Sequence, residues 1–562
     1  MDNRRLILLL VFSFSLVMLW DGWQKHLQPH GISDTALTQG SNQANNPSSS
    51  QSVPQLGGGT NSARSPNDSV TSDIPSPAQQ AVSAAVSASP ATKAELIKLE
   101  TDLMAVEIST LGGDIVHLDL KKHFASGDKN HAFTLFEEKG RHTYMAQSGV
   151  IGEGLPNHRS IWRLVNAQTA LAAGQDQLVV QLAADLSTGG SVVKTYTFHR
   201  GSYKIDITHS GLPAASFAYY QFIRDGKAAE EHNNPMMIGS ATFTGPAVFT
   251  DAEKFQKVSF EKIKDNEAKF AKKADNGWLA MIQHYFVAAW LPPVSVGREF
   301  YMRSLGNDLF STGIILPTSR DGKNTVSLYA GPQELKNLKN IAPGFDLVVD
   351  YGWLTIIAAP LFWVLGIIHG LVGNWGWAII LLTILIKLAF FPLSAASYKS
   401  MAKMRLVTPK LAKLKEIHGN DKLRLNQEMM ALYKKEKINP LGGCLPVLIQ
   451  IPVFISLYWV LQGTVEMRGA PWIGWIHDLS AQDPYYVLPL LMGVTMFIQT
   501  KLNPAPPDPM QAKVMLMMPV LFTAMFLFFP AGLVLYWTVN NLLSIAQQWK
   551  ITRTIESASK PV

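Results

Sequence analysis

The sequence predicts a polytopic α-helical membrane protein with six transmembrane helices and a large antiparallel β-sandwich outside the bilayer. Three observations carry this expectation. Long apolar runs lie near the amino terminus and again after residue 350; short alternating segments fill the stretch between them; and the basic surplus of the whole chain sits in one loop between two apolar runs. Of 562 residues, 47% are hydrophobic and 16% charged, enough apolar surface for a membrane part beside a soluble one.

Residues 1–27 read as an uncleaved signal anchor. Arg4 and Arg5 precede the apolar run Leu6 to Trp20, and the small-residue cleavage pattern is missing because Asp21, Gly22 and Trp23 follow. The next stretch, 28–92, is rich in Ser, Gln, Asn, Pro, Ala and Gly, buries too little to fold, and is expected to be a flexible tether. His26 and His30 share helical spacing, but Pro29 between them argues against a metal-binding helix. No cofactor or metal site is expected.

From 93 to 346 the pattern is that of an antiparallel sandwich. Val192 to Phe198 and Tyr203 to Ile207 alternate, with His199-Arg200-Gly201-Ser202 as the hairpin connection between them. The charged segment Glu253 to Lys273 is expected to be helical. Parity puts this domain across the membrane from the amino terminus, which is the periplasm if the cell is Gram-negative. Its His, Asp and Glu residues are scattered and form no catalytic constellation, so enzymatic activity is not expected.

Tyr351 to His369 has the hydropathy of a span. Counting it as one, together with Trp375 to Leu393, would leave the following basic loop outside, against the positive-inside bias, so 347–374 is read as a helix in the outer interface. The loop between Ala396 and Ile438 holds eleven Lys or Arg and four acidic residues, a surplus equal to the net charge of +7 of the whole chain. That marks 394–444 as cytoplasmic. Met401, Met404, Leu411 and Leu414 share one helical face, as do Leu425, Met429 and Leu432, which predicts a helical hairpin kinked at Pro409. Its charges are expected to meet anionic lipid, at about 1 kcal/mol each near the surface. The soluble remainder is near neutral and shows no nucleic-acid-binding motif. The one cysteine, Cys444, excludes an intrachain disulfide.

Four further spans are expected within 445–549: Leu445 to Leu461, Tyr485 to Gln499, Val514 to Phe529 and Leu533 to Trp549. Several are short, which favours a thinned bilayer around them. The tail 550–562 then lies in the cytoplasm, with the amino terminus. Tether, sandwich and helical part look independently built, so removal of most of 40–320 is expected to leave the activity of the helical part largely intact.

The most informative residue is Lys387, inside the apolar run from Trp375 to Leu393. Placing an ammonium near mid-bilayer costs about 2.5–3.5 kcal/mol, so such residues face a partner or a polar cavity. Snorkelling is the alternative, since Leu393 lies only about 9 Å further along the helix. Thr383, four residues earlier on the same face, makes the position a polar stripe rather than a stray charge. Gln450, Ser456, Gln462, Thr495, Thr523, Asn540, Asn541 and Ser544 add polar groups to the later spans. They either hydrogen-bond helix to helix or line a partly hydrated cavity with Lys387. No G-x-x-x-x-G-K-[S/T] loop occurs, so nucleotide hydrolysis by that route is excluded.

The stretches EMMALYKKEKINPLGGCLPVLIQIPVF from Glu428, WIHDLSAQDPYY from Trp475, LLMGVTMFIQ at 490–499 and FPAGLVLYWTVNNL at 529–542 closely resemble the YidC/Oxa family of membrane protein insertases. The resemblance is strongest from Tyr351 to Trp549 and extends more weakly over the preceding domain, as in the Gram-negative form. It implies an inner-membrane protein that facilitates insertion of client membrane proteins through a hydrophilic groove open to cytoplasm and lipid. It also implies the groove residues: Lys387, where the family commonly has Arg; Thr383 one turn earlier; Gln450; and Tyr536 with Trp537, the latter at a position that is often Tyr. Lys keeps the charge and loses the planar fork that grips carboxylates. The implied partners are nascent membrane proteins, Sec translocon components, and the ribosome or signal recognition machinery. The family's periplasmic domain is similar to sugar-mutarotase sandwiches, a likeness of fold and not of function.

Two other classes remain as alternatives. A small-solute or ion transporter using Lys387 would carry internal repeats and helices broken in both halves, which the sequence lacks. A membrane-anchored carbohydrate enzyme would need paired carboxylates in the sandwich.

Overall fold

The computed structural model describes residues 94–125, 128–140, 142–187, 189–227, 243–351, 354–418, 421–436, 445–503 and 509–558. The expected signal anchor and tether lie outside the described residues.

The alternating segments pair into two nine-stranded antiparallel sheets among the described residues. The first takes the five strands from Leu96 to Ile151 in sequential order, then Phe217–Asp225, Leu309–Pro317, Arg298–Gly306 and Lys273–Ala274. The second runs from Lys254–Lys257 through Gly245–Thr250, Trp278–Gln283, Phe286–Leu291, Lys323–Pro332, Lys204–Ser210, Ser191–His199 and Gln177–Asp185 to Arg163–Ala167. Ser191–His199 shows why register is fixed: its residues alternate between buried and half-buried, so a one-residue slip would turn Val192, Tyr196 and Phe198 out of the core. The predicted hairpin pairs Thr197 with Asp206, and its turn is made by Gly201 at φ 68°, where a side chain would be strained.

The expected helix from Glu253 to Lys273 is largely absent. Lys254–Lys257 is a strand, and only α1 (Phe260–Lys264) is helical. Phe260 and Ile263 are the buried residues of this helix, and Ser259 caps it, so the charged remainder has no face to bury.

The sandwich interior holds a deeply buried ion pair. Lys194 Nζ lies 3.8 Å from Asp114 Oδ1 and donates to the carbonyls of Gly112 and Ser148, both at 2.8 Å. Burial pushes the Asp114 carboxyl up to about 6 and the Lys194 ammonium down to about 8.

A second apolar core joins the outside of one sheet to the helices that follow. Phe249, Trp278 and Tyr329 pack around Phe345, beyond α2 (Leu335–Ile341), and the cluster continues through Val348 and Tyr351 into the helical part. The sandwich is therefore not built independently of the helices it precedes.

The helical part begins with α3 (Thr355–Val372), an uninterrupted helix despite Pro360. By length and composition it alone, among the described residues, qualifies as a membrane span as a single straight helix, and 17% of its apolar window is buried. Gly373, at φ 68°, turns the chain tightly into α4 (Trp375–Ala389), whose amino-terminal cap is Asn374. The span expected to reach Leu393 stops earlier. α4 ends at Ala389, and α5 (Phe391–His418) leaves at 68°, because Pro392 has no N–H for the Leu388 carbonyl. α5 then passes through Pro409 without interruption.

Residues 410–437 cluster separately from 71–409 and 438–562. Within that stretch α6 (Lys422–Lys435) is capped by Asp421, and Lys410 Nζ pairs with Glu436 Oε1 at 2.6 Å. The remaining helices are α7 (Leu445–Gly463), α8 (Val487–Leu502), α9 (Pro509–Phe526) and α10 (Ala531–Ala558). α10 packs on α4 and α8, and more lightly on α7; α3 packs on α4 and α7. Polar residues along α10 recur every four positions, at Tyr536, Asn540, Ser544 and Gln548, and all four are buried.

Candidate functional site

Lys387 sits in the last turn of α4, and its side chain is buried rather than extended to the surface. Its Nζ donates to Ser544 Oγ of α10 at 2.7 Å, and that hydroxyl donates in turn to the Asn540 carbonyl at 2.8 Å. One turn back on α10, the Asn540 side-chain oxygen accepts from Gln450 Nε2 of α7. A continuous polar chain thus crosses three helices. Among the described residues no carboxylate acts on Lys387, so a neutral hydroxyl holds this ammonium. The arrangement is that of a satisfied buried amine with its charge uncompensated, which is the state that attracts an acidic group.

Beside this chain lies a recess of about 20 Å³ lined by Ile386, Lys387, Phe390, Leu393, Ser394, Gln450 and Val453. That volume is room for one water. The kink at Phe390 helps to form it, by carrying Leu393 and Ser394 of α5 away from the axis of α4.

The five residues expected at the site are not equivalent. Lys387 and Gln450 both line the recess. Thr383 is buried one turn above Lys387, and its hydroxyl donates back to the Ile379 carbonyl at 2.7 Å. The Tyr536 hydroxyl is buried near the Gln450 side chain without a hydrogen bond of good geometry. Trp537 is turned elsewhere, edge-on to Phe454 at 4.5 Å and 5.4 Å from Phe526, in an aromatic cluster of α7, α9 and α10. Asn540 and Ser544 are the residues that sequence reasoning did not assign to the site. Their signal was the four-residue spacing along α10, which ordinary interhelical hydrogen bonding produces equally well.

A second face of α10 serves α8. Asn541 Nδ2 donates to Thr495 Oγ1 at 3.2 Å, and Gln548 accepts from Gln499 while donating to the Leu502 carbonyl at 3.0 Å. These bonds are ordinary helix-to-helix ties. They fix α10 so that its other face can hold Lys387 and Gln450.

The amino-terminal ends of α4 and α8 are set by the loop after α7. Asn374 Nδ2 donates to the carbonyls of Pro471 and Trp472 at 3.1 and 3.2 Å, and Gly376 leaves room for the Trp472 indole, which a Cβ would meet at 2.1 Å. Asp483, 1% exposed, accepts from Trp475 Nε1 and from the backbone of Tyr485 and Leu488, opening α8.

A larger cavity, about 300 Å³, lies in the sandwich by Trp278 and Pro343. Its chemistry is spent: the Arg298 guanidinium donates to the carbonyls of Gly277, Pro293 and Val296, and Asp251 is the one carboxylate in its lining. Among the described residues its lining holds no pair of carboxylates of the kind that a carbohydrate enzyme uses.

Comparison with known proteins covers both the sandwich and the helical part. The family described as "60Kd inner membrane protein" matches residues 367–558, and the one described as "YidC periplasmic domain" matches residues 96–364. A relative from Aromatoleum aromaticum called "Membrane protein insertase YidC" is 56% identical over 99% of this chain and 98% of its own. One of the same description from Dechloromonas aromatica is 54% identical over 100% and 99%. A solved structure titled "Active YidC insertase crystal structure with the first transmembrane domain resolved" is 17% identical, covers 81% of this chain and 92% of its own, and aligns with a TM-score of 0.40.

Proposed function

The chain belongs to the YidC family of membrane protein insertases, and from that premise we propose a physical route by which it carries out insertion. It is an inner-membrane insertase with a periplasmic domain. It moves client membrane proteins into the bilayer and is not a solute transporter.

The observation that carries the route is the chain from Lys387 through Ser544 and Asn540 to Gln450. A client docks from the cytoplasmic side, and the polar or acidic segment that must cross is held for a time at this chain. The segment then avoids the full cost of entering hydrocarbon, which is several kcal/mol for each unsatisfied polar group. The client's apolar stretch leaves sideways into lipid, where its burial drives the process. Binding is the whole of the chemistry: no bond is made or broken.

The topology that goes with this route has six spans: Leu6 to Trp20, α4, and α7 to α10. Both termini and the basic stretch 394–444 face the cytoplasm, and α3 lies in the outer interface. α3 has the composition of a span, and the reading rests on the charge surplus that follows α4. Cysteines placed at Ser400 and Ser202 react from opposite sides of the membrane under this topology, and from the same side if α3 crosses. Client proteins are the partners; Sec components, the ribosome and anionic lipid at the basic loop are the further ones this reading expects.

Reconstitution tests the route. The purified chain in liposomes is expected to protect a short single-span client from external protease with no other protein present. Protection no greater than in empty liposomes contradicts it.

A further inference from the structure

We infer that Glu466 and Glu334 form a proton-sensitive joint between the sandwich and the helical part, held tight while one of the two carboxyls carries a proton and loosened when both are ionised.

Glu466 lies in the short 3-10 turn Val465–Met467 that follows α7. Its two neighbours are anchored in different cores. Val465 belongs to the interior of the sandwich, whereas Met467 belongs to the apolar core shared with the helices. Any movement of the sandwich against α7 is therefore felt at this turn. Glu466 is half-buried there, and among the described residues its carboxylate makes no ion pair; its own backbone N–H is the group that bonds it.

Glu334 faces it from the sandwich side, as the residue that opens α2, and is half-buried as well. The nearby cations are engaged elsewhere. The Arg468 guanidinium stacks over Phe133, Tyr285 and Phe286, and Lys122 acts on Glu334, which also accepts from Asn337. His284 is bonded to the Gln462 carbonyl. Burial and the Arg468 charge push the His123 imidazole down to about 4, so it adds no positive charge at neutral pH. Burial, and after it the Glu466 charge, keeps the Tyr351 phenol protonated.

A carboxyl withdrawn from water with no cation beside it takes up a proton rather than stay ionised. Burial pushes the Glu466 carboxyl from 4.5 up to about 7, and the Glu334 charge adds to the push. Because the folded value lies above the unfolded one, the contribution of the joint is complete below about pH 4.5 and is lost as pH rises through 7. Above that, two like charges oppose each other across the boundary. The grip of the sandwich on the end of α7 thus follows the acidity on the outer side of the membrane.

Amide hydrogen exchange of the full chain in liposomes tests this, with wild type run against Glu466→Gln and Glu334→Gln. Gln has the shape of the protonated carboxyl and no charge. At about pH 8.5, exchange in 464–470 and in Leu335–Ile341, each corrected for the intrinsic rate of its sequence, is expected to be at least threefold faster in wild type than in either variant. At about pH 5.5 the three chains are expected to match. Asp114 titrates inside the sandwich in all three, so its effect cancels. Exchange in wild type that is equal or slower at the higher pH overturns the joint. So does faster exchange confined to the turn, because the two sides must part together.

Discussion

The imidazole of His284, in the turn between two strands of the sandwich, lies 2.9 Å from the backbone carbonyl of Gln462 in the last turn of α7. The chain just beyond deepens this junction. Val465 is buried in the core of the sandwich itself, and the Arg468 guanidinium stacks over Phe133, Tyr285 and Phe286 at 5.3–5.5 Å. The sandwich therefore holds the carboxyl-terminal end of a helix whose second turn carries Gln450.

Arg468→Ala is expected to cost about 1–2 kcal/mol, from the lost cation–π contacts and the lost stem packing. Heat unfolding of the purified full chain should show a lower midpoint, and removal of 40–320 should lower it further while client insertion persists. An unchanged midpoint for Arg468→Ala means the junction contributes no stability.

Asp483 closes three hydrogen bonds from a nearly inaccessible position, two to backbone N–H groups at the start of α8. Asp483→Ala strands all three donors and is expected to destabilise by roughly 3 kcal/mol, with Asp483→Asn losing less than half of that. Thermal midpoints of the two variants provide the check; equal losses would make the negative charge, rather than the acceptor oxygens, the source of stability.

Gly493 brings α8 against α9 so closely that a Cβ there would lie 2.2 Å from Thr523 Oγ1. Thr523 cannot easily turn away, since its hydroxyl donates to the Pro519 carbonyl at 2.7 Å. Gly493→Ala is expected to cost about 1–3 kcal/mol through overpacking. Adding Thr523→Ala removes the clash and should recover most of the loss in a double-mutant cycle. Additive losses would place the strain elsewhere.

The Asp114 carboxyl, raised from 3.8 to about 6 by burial, sets a pH dependence on the sandwich. A folded-state value above the unfolded one favours the folded state in full below about pH 4, and the benefit disappears as pH rises through 6. Relative to Asp114→Asn, the wild-type chain is therefore expected to lose on the order of 2 kcal/mol between pH 4 and pH 7. Parallel stability curves for the two proteins over that window would show that Lys194 compensates the charge fully.

How much of this was legible in the sequence depended on whether the signal was local. Lys387 stood out because an ammonium in an apolar run is costly wherever its partner lies, and Ser191–His199 because its alternation is strict. The limit of α4 was half visible: Pro392 is in the sequence, but the break falls at Phe390, two residues before it. The helix expected over Glu253 to Lys273 failed because charge pattern was read without burial, and only Phe260 and Ile263 in its helical turn meet the core. Nothing local announced that Val465 enters the sandwich or that Ser544 holds Lys387 from 157 residues away. Such ties are made by tertiary packing alone, and a serine or a valine in a helical protein has many ordinary uses.

The central claim is that the charge of Lys387 acts on clients. Coulomb attraction in a partly hydrated site, at an effective dielectric near 20, is on the order of a few kcal/mol at contact, enough to change insertion severalfold. The direct measurement is protease protection of two clients that differ only in having an acidic or a neutral tail to translocate, at equal membrane levels of the wild-type chain, Lys387→Arg, Lys387→Ala and Lys387→Glu. The account predicts that Lys387→Arg stays active, that Lys387→Ala loses the acidic client more than the neutral one, and that Lys387→Glu loses it further. Equal insertion of both clients by wild type and Lys387→Ala would contradict it and leave Lys387 a buried amine held by Ser544 with no part in insertion.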